Sequence, residues 1–256
     1  MPAPPVSADG IAAPEPNLVD VLLTLLVAGG ALLFCTLIGA AVLLIVRGPH
    51  AAIDKDPAGA VLLMLPIQLA AYVLTVGFMV FYTWEKYRVG FLRTVRWNMP
   101  ARKFAWYALA GGSMLAFGSA LADASLHRWM PKSLPIQQYF STPASAYALA
   151  AFGILVAPLV EELFFRGFLY PALARRMGQV AGIGITAFLF AMLHAGQLAL
   201  AWAPLLVLFL VGAVLTFVRA RTNSVATCVL MHAGYNFTLF TMLFFSTGHF
   251  HHMEKV

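Results

Sequence analysis

Glu161-Glu162-Leu163-Phe164-Phe165-Arg166 sets three ionisable side chains at the end of an apolar run that starts near Ala144 and holds no other charge. A run of that length and apolarity reads as a membrane span. A charge at bilayer depth costs at least about 2.5–3.5 kcal/mol on insertion scales, so such groups face a protein interior or a wet cavity and serve a function by default.

The whole chain agrees with that reading. Of 256 residues, 61% are hydrophobic and 10% charged, against roughly a quarter charged in soluble domains. The fold class expected is all-α, a polytopic transmembrane helical bundle. The net charge of +6 does not point to nucleic acid, because the Lys and Arg residues sit between apolar segments and form no single stripe. Cys35 and Cys228 lie inside apolar segments without CxxC spacing and read as inert core thiols.

A span needs about 20 apolar residues, and about seven candidates follow: 21–46, 58–82, 104–122, 144–170, 180–195, 201–218 and 224–245. The fifth is short. Before the first, residues 1–20 read as a disordered tail rich in Pro and Ala, without the basic region of a secretory signal. Residues 21–143 then form accessory helices with a basic interfacial segment, 144–247 a catalytic core, and 248–256 a C-terminal tail.

Cytoplasmic connections are richer in Lys and Arg. If the 85–103 connection is cytoplasmic, eleven basic residues fall on that side, six of them from Lys86 to Lys103 and the others Arg166, Arg175, Arg176, Arg219 and Arg221. Five fall opposite: Arg47, Lys55, Arg128, Lys132 and Lys255. The N-terminus is therefore expected in the cytoplasm and the C-terminus outside. Trp84, Trp97 and Trp106 flank the basic connection like an aromatic belt. Residues 88–103 mix Phe91, Leu92, Val95 and Trp97 with arginines, which suits an interfacial helix on anionic headgroups. Residues 125–143, with three prolines, read as an irregular external loop or lid. Gly178, after the Arg175-Arg176 pair, reads as a helix end. His249, His251 and His252 form a solvated end, with metal binding a minor candidate.

Setting aside that tail and the loop residues His50 and His127 leaves His194, which closes Phe190-Ala-Met-Leu-His194, and His232, which opens His232-Ala-Gly-Tyr-Asn236. The i, i+4 spacing puts His232 and Asn236 on one helix face. At a rise of 1.5 Å per residue, Glu161 lies about 21 Å from Arg175 and His232 about 16 Å from Arg221, with His194 comparably deep. Taken singly each residue has a bland explanation. Glu162 and Arg166, four apart, can neutralise each other as a buried pair, and His194, His232 and Asn236 can be interhelical glue. A carboxylate pair, two imidazoles and an amide at matched depth on three helices exceed what packing needs.

The chemistry that suits the set is peptide hydrolysis without a covalent intermediate. A carboxylate in an apolar site is a stronger base than in water, so Glu161 could activate water with His194 positioning it, while His232 and Asn236 stabilise the oxyanion of a tetrahedral intermediate. Glu161, His194 and His232 could alternatively bind zinc as a catalytic set, although no HExxH supplies two ligands from one helix. A non-catalytic peptide-binding or immunity module would also use a polar cavity. A proton-coupled transporter would too, but neither an inverted repeat nor paired broken helices is evident.

Glu161-Glu162-x-x-x-Arg166, Phe190-x-x-x-His194 and His232-x-x-x-Asn236, in that order, resemble the three motifs of the CAAX protease and bacteriocin-processing membrane protease family. That family includes type II CAAX prenyl endopeptidases and lysostaphin resistance protein A-like proteins. The resemblance covers about 144–245. It implies a glutamic intramembrane endopeptidase needing no cofactor, with Glu161 as the catalytic glutamate, His194 helping it, His232 with Asn236 at the oxyanion, and Glu162 with Arg166 as a supporting pair. Seven spans where larger eukaryotic-type members have eight argue against a prenylated substrate. The resemblance points to a bacterial-type enzyme of the inner membrane, acting on a membrane-anchored protein or peptide, with its polar cavity open to the cytoplasm and lipid.

Overall fold

The computed structural model describes residues 14–47 and 57–251, and these are helices joined by turns and short irregular connections. In chain order they form α1 (Leu18–Arg47), α2 (Pro57–Tyr87), α3 (Phe91–Thr94), α4 (Arg102–Ser125), α5 (Pro143–Leu155), α6 (Ala157–Phe164), a π-helical turn (Phe165–Leu169), α7 (Tyr170–Met177), α8 (Gln179–Leu193), α9 (Trp202–Thr222) and α10 (Val225–Ser246). Two short 3-10 turns, His127–Trp129 and Pro135–Phe140, lie between α4 and α5. The chain is an all-α, polytopic integral membrane protein. Six stretches among the described residues are long and apolar enough to span a membrane, in α1, α2, α4, the α5–α7 rod, α9 and α10. The expected fifth span is α8, whose 15 residues reach about 22 Å. Leu26, Phe81, Phe117 and Phe217 stand exposed on the helix flanks, as a lipid-facing surface requires.

The connections sort to two ends. At one, Arg175 donates to the Pro16 carbonyl, Asn98 to the Asn223 carbonyl, and the Val225 N–H to the Arg96 carbonyl. At the other, residues 127–140 meet the α8–α9 connection through the Ile136 N–H and the Gln197 carbonyl. The first is the basic end, but three of its eleven expected basic residues, Arg96, Arg166 and Arg219, are buried and serve packing instead of topology. Lys55 and Lys255, counted for the opposite side, lie outside the described residues, as does His50.

Several local expectations change. The chain is packed from residue 14, and α1 starts at Leu18 because Asn17 Oδ1 accepts from the Val19 and Asp20 N–H groups while the Asp20 carboxylate accepts from the Asn17 N–H. Asp20 is buried and takes hydrogen bonds from Tyr82, Lys86 and Tyr87 of α2. Of the tail expected over 1–20, residues 1–13 lie outside the described residues. The interfacial helix expected over 88–103 shrinks to the four-residue α3. Left-handed conformations at Arg88 and Arg96 turn this segment inward, and Val95 is fully buried beside Gly167. At the C-terminal end, Phe250 packs against Tyr147 and Phe244, so the expected solvated tail is tied back at least that far. His252 lies outside the described residues.

The helix that carries His232 is set by glycine. A Cβ on Gly112 of α4 would lie 2.0 Å from the Met231 carbonyl oxygen, and one on Gly234 of α10 would lie 2.5 Å from that of Leu109. Without a strong hydrophobic drive between helices in lipid, such close backbone approach is how spans hold together. It fixes the height of α10 against α4.

Candidate active site

The fourth span is broken where it carries the Glu-Glu pair. Pro158 lacks an N–H and opens α6, the helix is interrupted at Val156, and a π-helical turn follows directly, a feature that recurs at functional sites. Consecutive residues on a helix point about 100° apart, so the two glutamates meet different surroundings. The Glu162 side chain is 0% exposed and turns into the protein, whereas that of Glu161 is 13% exposed and lines a cavity.

Glu162 joins three helices. Its Oε1 accepts from Arg166 Nη1 at 2.7 Å and pairs with His232 Nδ1 at 2.8 Å. Arg166 is spent entirely on the interior: Nη2 donates to the Gly212 carbonyl at 2.9 Å and Nε to Thr216 Oγ1 at 3.2 Å, both on α9. Its guanidinium lies 4.7 Å from the centre of the Phe190 ring, a favourable cation–π contact. Arg219 Nε caps the arrangement by donating to the Arg166 carbonyl.

This chain of bonds orients the imidazoles. With Glu162 ionised, as its ion pair with Arg166 implies, Nδ1 of His232 carries the proton, and Nε2 faces Glu161 Oε2 at 4.0 Å, too far for a direct hydrogen bond and close to the span of one bridging water. His194 is not deep in a helix as expected; it is the residue that ends α8. Its Nδ1 donates to the Phe190 carbonyl at 3.0 Å, which leaves Nε2 as an acceptor. The Phe190 ring touches both imidazoles, with centroid distances of 5.1 Å to His194 and 5.8 Å to His232. Asn236, one turn beyond His232, donates through Nδ2 to the Gly153 carbonyl at 2.6 Å, next to the break in the rod.

Glu161, His194, His232 and Asn236 line one cavity of about 1350 Å³, above the roughly 300–1,000 Å³ of small-molecule sites. It has room for an extended peptide. Every candidate residue of the sequence reading is therefore at one place, with Glu162 and Arg166 directly behind it. Among the described residues no three His, Cys, Asp or Glu side chains form a metal-holding group.

Residues 143–238 match the family model of type II CAAX prenyl endopeptidase Rce1-like proteins. Over these residues the chain is similar to the CAAX protease family. No curated protein and no solved structure gives a significant match. The matched segment contains all six candidate site residues, while α1, α2, α3 and α4 all precede it.

Some contributors to this site escaped the sequence. Gln68 and Tyr72 of α2, one turn apart, line the same cavity, and their i, i+4 spacing inside an apolar span was the available signal. Thr216 and the Gly212 carbonyl anchor Arg166, and Phe190 joins Arg166 to both imidazoles; none of these carries a charge that would single it out.

Proposed function

We propose that this protein hydrolyses a peptide bond of a membrane-associated protein or peptide within the bilayer, with Glu161 as general base. The observation that carries the reading is the buried Arg166–Glu162–His232 chain, which holds Nε2 of His232 toward Glu161 at the floor of a peptide-sized cavity. A water between Glu161 and the two imidazoles gives a proton to the Glu161 carboxylate as its oxygen attacks the scissile carbonyl carbon. The carbonyl electron pair moves to the oxygen, where Asn236 donates a hydrogen bond and His232 donates another through Nε2, having taken a second proton from solvent before the step and keeping it throughout. Glu161 then delivers its proton to the amide nitrogen, the C–N bond breaks, and an amine and a carboxylic acid leave. His194, fixed through Nδ1, accepts from the water and aims it. The membrane is a bacterial inner membrane, with the N-terminus cytoplasmic and the C-terminus external.

The test is cleavage of a panel of membrane-anchored peptides by the purified chain in liposomes. Glu161→Gln is expected to lower the rate by about 10²–10⁴-fold, the usual contribution of a positioned general base, and His194→Ala to lower it as well, while chelator leaves the wild type active. Wild-type cleavage by Glu161→Gln would overturn the reading. Activity lost to chelator and restored by zinc would replace the base mechanism with a metal one.

A further inference from the structure

The cavity has a direction. Its floor is the four candidate residues, and its walls come from the half of the molecule away from the basic end: Thr36 and Leu43 of α1, Met64 of α2, Leu134 and Phe140 of the 127–140 segment, and Leu243 of α10. No residue of 84–103, 170–181 or 212–231 lines it. On the basic side of the floor the protein is solid. Phe165 through Leu173 are all buried, Met79 and Val95 are fully buried against them, and Arg219 closes over the Arg166 carbonyl. A separate groove of about 810 Å³ at the basic end, between α2, α3 and α6, reaches none of the four residues. Among the described residues, none of those at the basic end, where the cytoplasmic opening was expected, lines the cavity.

We propose that substrate and water reach Glu161 from the membrane face opposite the basic connections, beneath the 127–140 segment. Basic connections mark the cytoplasmic face, so the bond cut lies on the external side. The substrate class follows from the walls, which are mainly apolar between the mouth and the floor with Gln68, Tyr72, Gln137 and Gln197 interspersed, while the exposed Asp123 and Lys132 give no excess of either sign. It is an already translocated chain, held by a membrane anchor, whose apolar stretch next to the anchor feeds into the cavity from outside, and not a cytoplasmic tail. This identity of the ligand rests on the endopeptidase reading; the direction of access does not.

The experiment separates the two. In full-length chain lacking cysteine (Cys35→Ala, Cys228→Ala), Leu239→Cys and Leu243→Cys report the cavity, Lys132→Cys the mouth, and Arg221→Cys the basic end. Each is treated with a membrane-impermeant cationic thiol reagent in right-side-out and inverted vesicles. Both cavity cysteines are expected to react from the face that labels Lys132→Cys and to be silent from the face that labels Arg221→Cys, in the wild-type and Glu161→Gln backgrounds alike. Labelling from the Arg221 face, or from neither, overturns the proposal. A second arm presents one anchored peptide on either face of liposomes with oriented protein. Cleavage only on the Lys132 face is expected, and cleavage only on the Arg221 face overturns the external assignment of substrate. Correct labelling with no cleavage would leave the access route standing and sink the endopeptidase reading alone.

Discussion

Replacing Arg166 with Met removes a cation that is fully buried and whose guanidinium makes three hydrogen bonds, to Glu162, Thr216 and Gly212. The long apolar side chain refills most of the space, so packing loss is small and the electrostatic consequence dominates. Glu162 then keeps only His232, since its Oε2 has no hydrogen-bond partner among the described residues. Removing one partner of a buried pair costs about 3–5 kcal/mol because the other charge is left uncompensated. Adding Glu162→Gln removes that charge, so the double variant is expected to lose less than the sum of the two single losses, by about 0.5–3 kcal/mol for groups in direct contact. Reversible unfolding in mixed micelles, followed by helix signal, measures all three. An Arg166→Met loss below about 1 kcal/mol, the scale of an exposed pair, or strict additivity in the double variant, would refute the claim that Arg166 neutralises Glu162 in a dry interior. In cleavage assays Glu162→Gln alone is expected to lower kcat roughly 10–100-fold with KM unchanged, the range for outer partners that orient a working imidazole.

Three further outcomes follow from the geometry. Asn236→Ala should lower kcat by about 10²–10³-fold, as the loss of one oxyanion donor does; an effect confined to KM would reassign Asn236 to binding or to holding the Gly153 carbonyl. Gly234→Ala puts a methyl 2.5 Å from the Leu109 carbonyl oxygen and should cost about 1–3 kcal/mol by overpacking, whereas Gly118→Ala, which meets nothing within 4 Å, should be neutral or stabilise by up to about 1 kcal/mol; equal effects in unfolding assays would contradict the close α4–α10 contact. Asp20→Asn removes the charge that receives Lys86, Tyr82 and Tyr87 and should destabilise by about 1.5–3 kcal/mol, read as a lower melting temperature without loss of specific activity in the surviving protein.

Charge in an apolar context was the legible part. Glu161, Glu162, Arg166, His194 and His232 stand out because each would be costly at bilayer depth without a partner, and the structure gathers all of them around one cavity floor. The spans were legible by length, apart from α8, where 15 residues between two turns leave the apolar run ambiguous. Three things were hidden for physical reasons. Arg166 and Arg219 counted as topology signals because sequence cannot tell a snorkelling arginine from one whose partners sit on another helix. Residues 88–103 carry the composition of a surface helix, but Val95 is drawn inward by the space that Gly167 leaves, a long-range complementarity. Asn17 and Asp20 did contain a readable signal, a reciprocal cap three residues apart, that starts α1 before its first long apolar stretch.

The adjacent glutamates explain why the molecule is solid on one side of the site and hollow on the other. A base must meet water, and an imidazole that is to stay in one orientation must be bonded where water does not compete. One carboxylate cannot satisfy both demands. Glu162 gives one oxygen to both Arg166 and His232 and has no exposed surface, so it is unavailable to a reacting water. Glu161, about 100° around the helix, has no such anchor and faces the cavity. Environments that push neighbouring acids toward different roles are how acid–base assignments are recognised. The packed basic end keeps the Glu162 network dry, so water and substrate must come from the opposite face. Exchanging the two environments, for instance by opening the floor with Phe168→Ala, should therefore weaken the orientation of His232 before it gives any new route to Glu161.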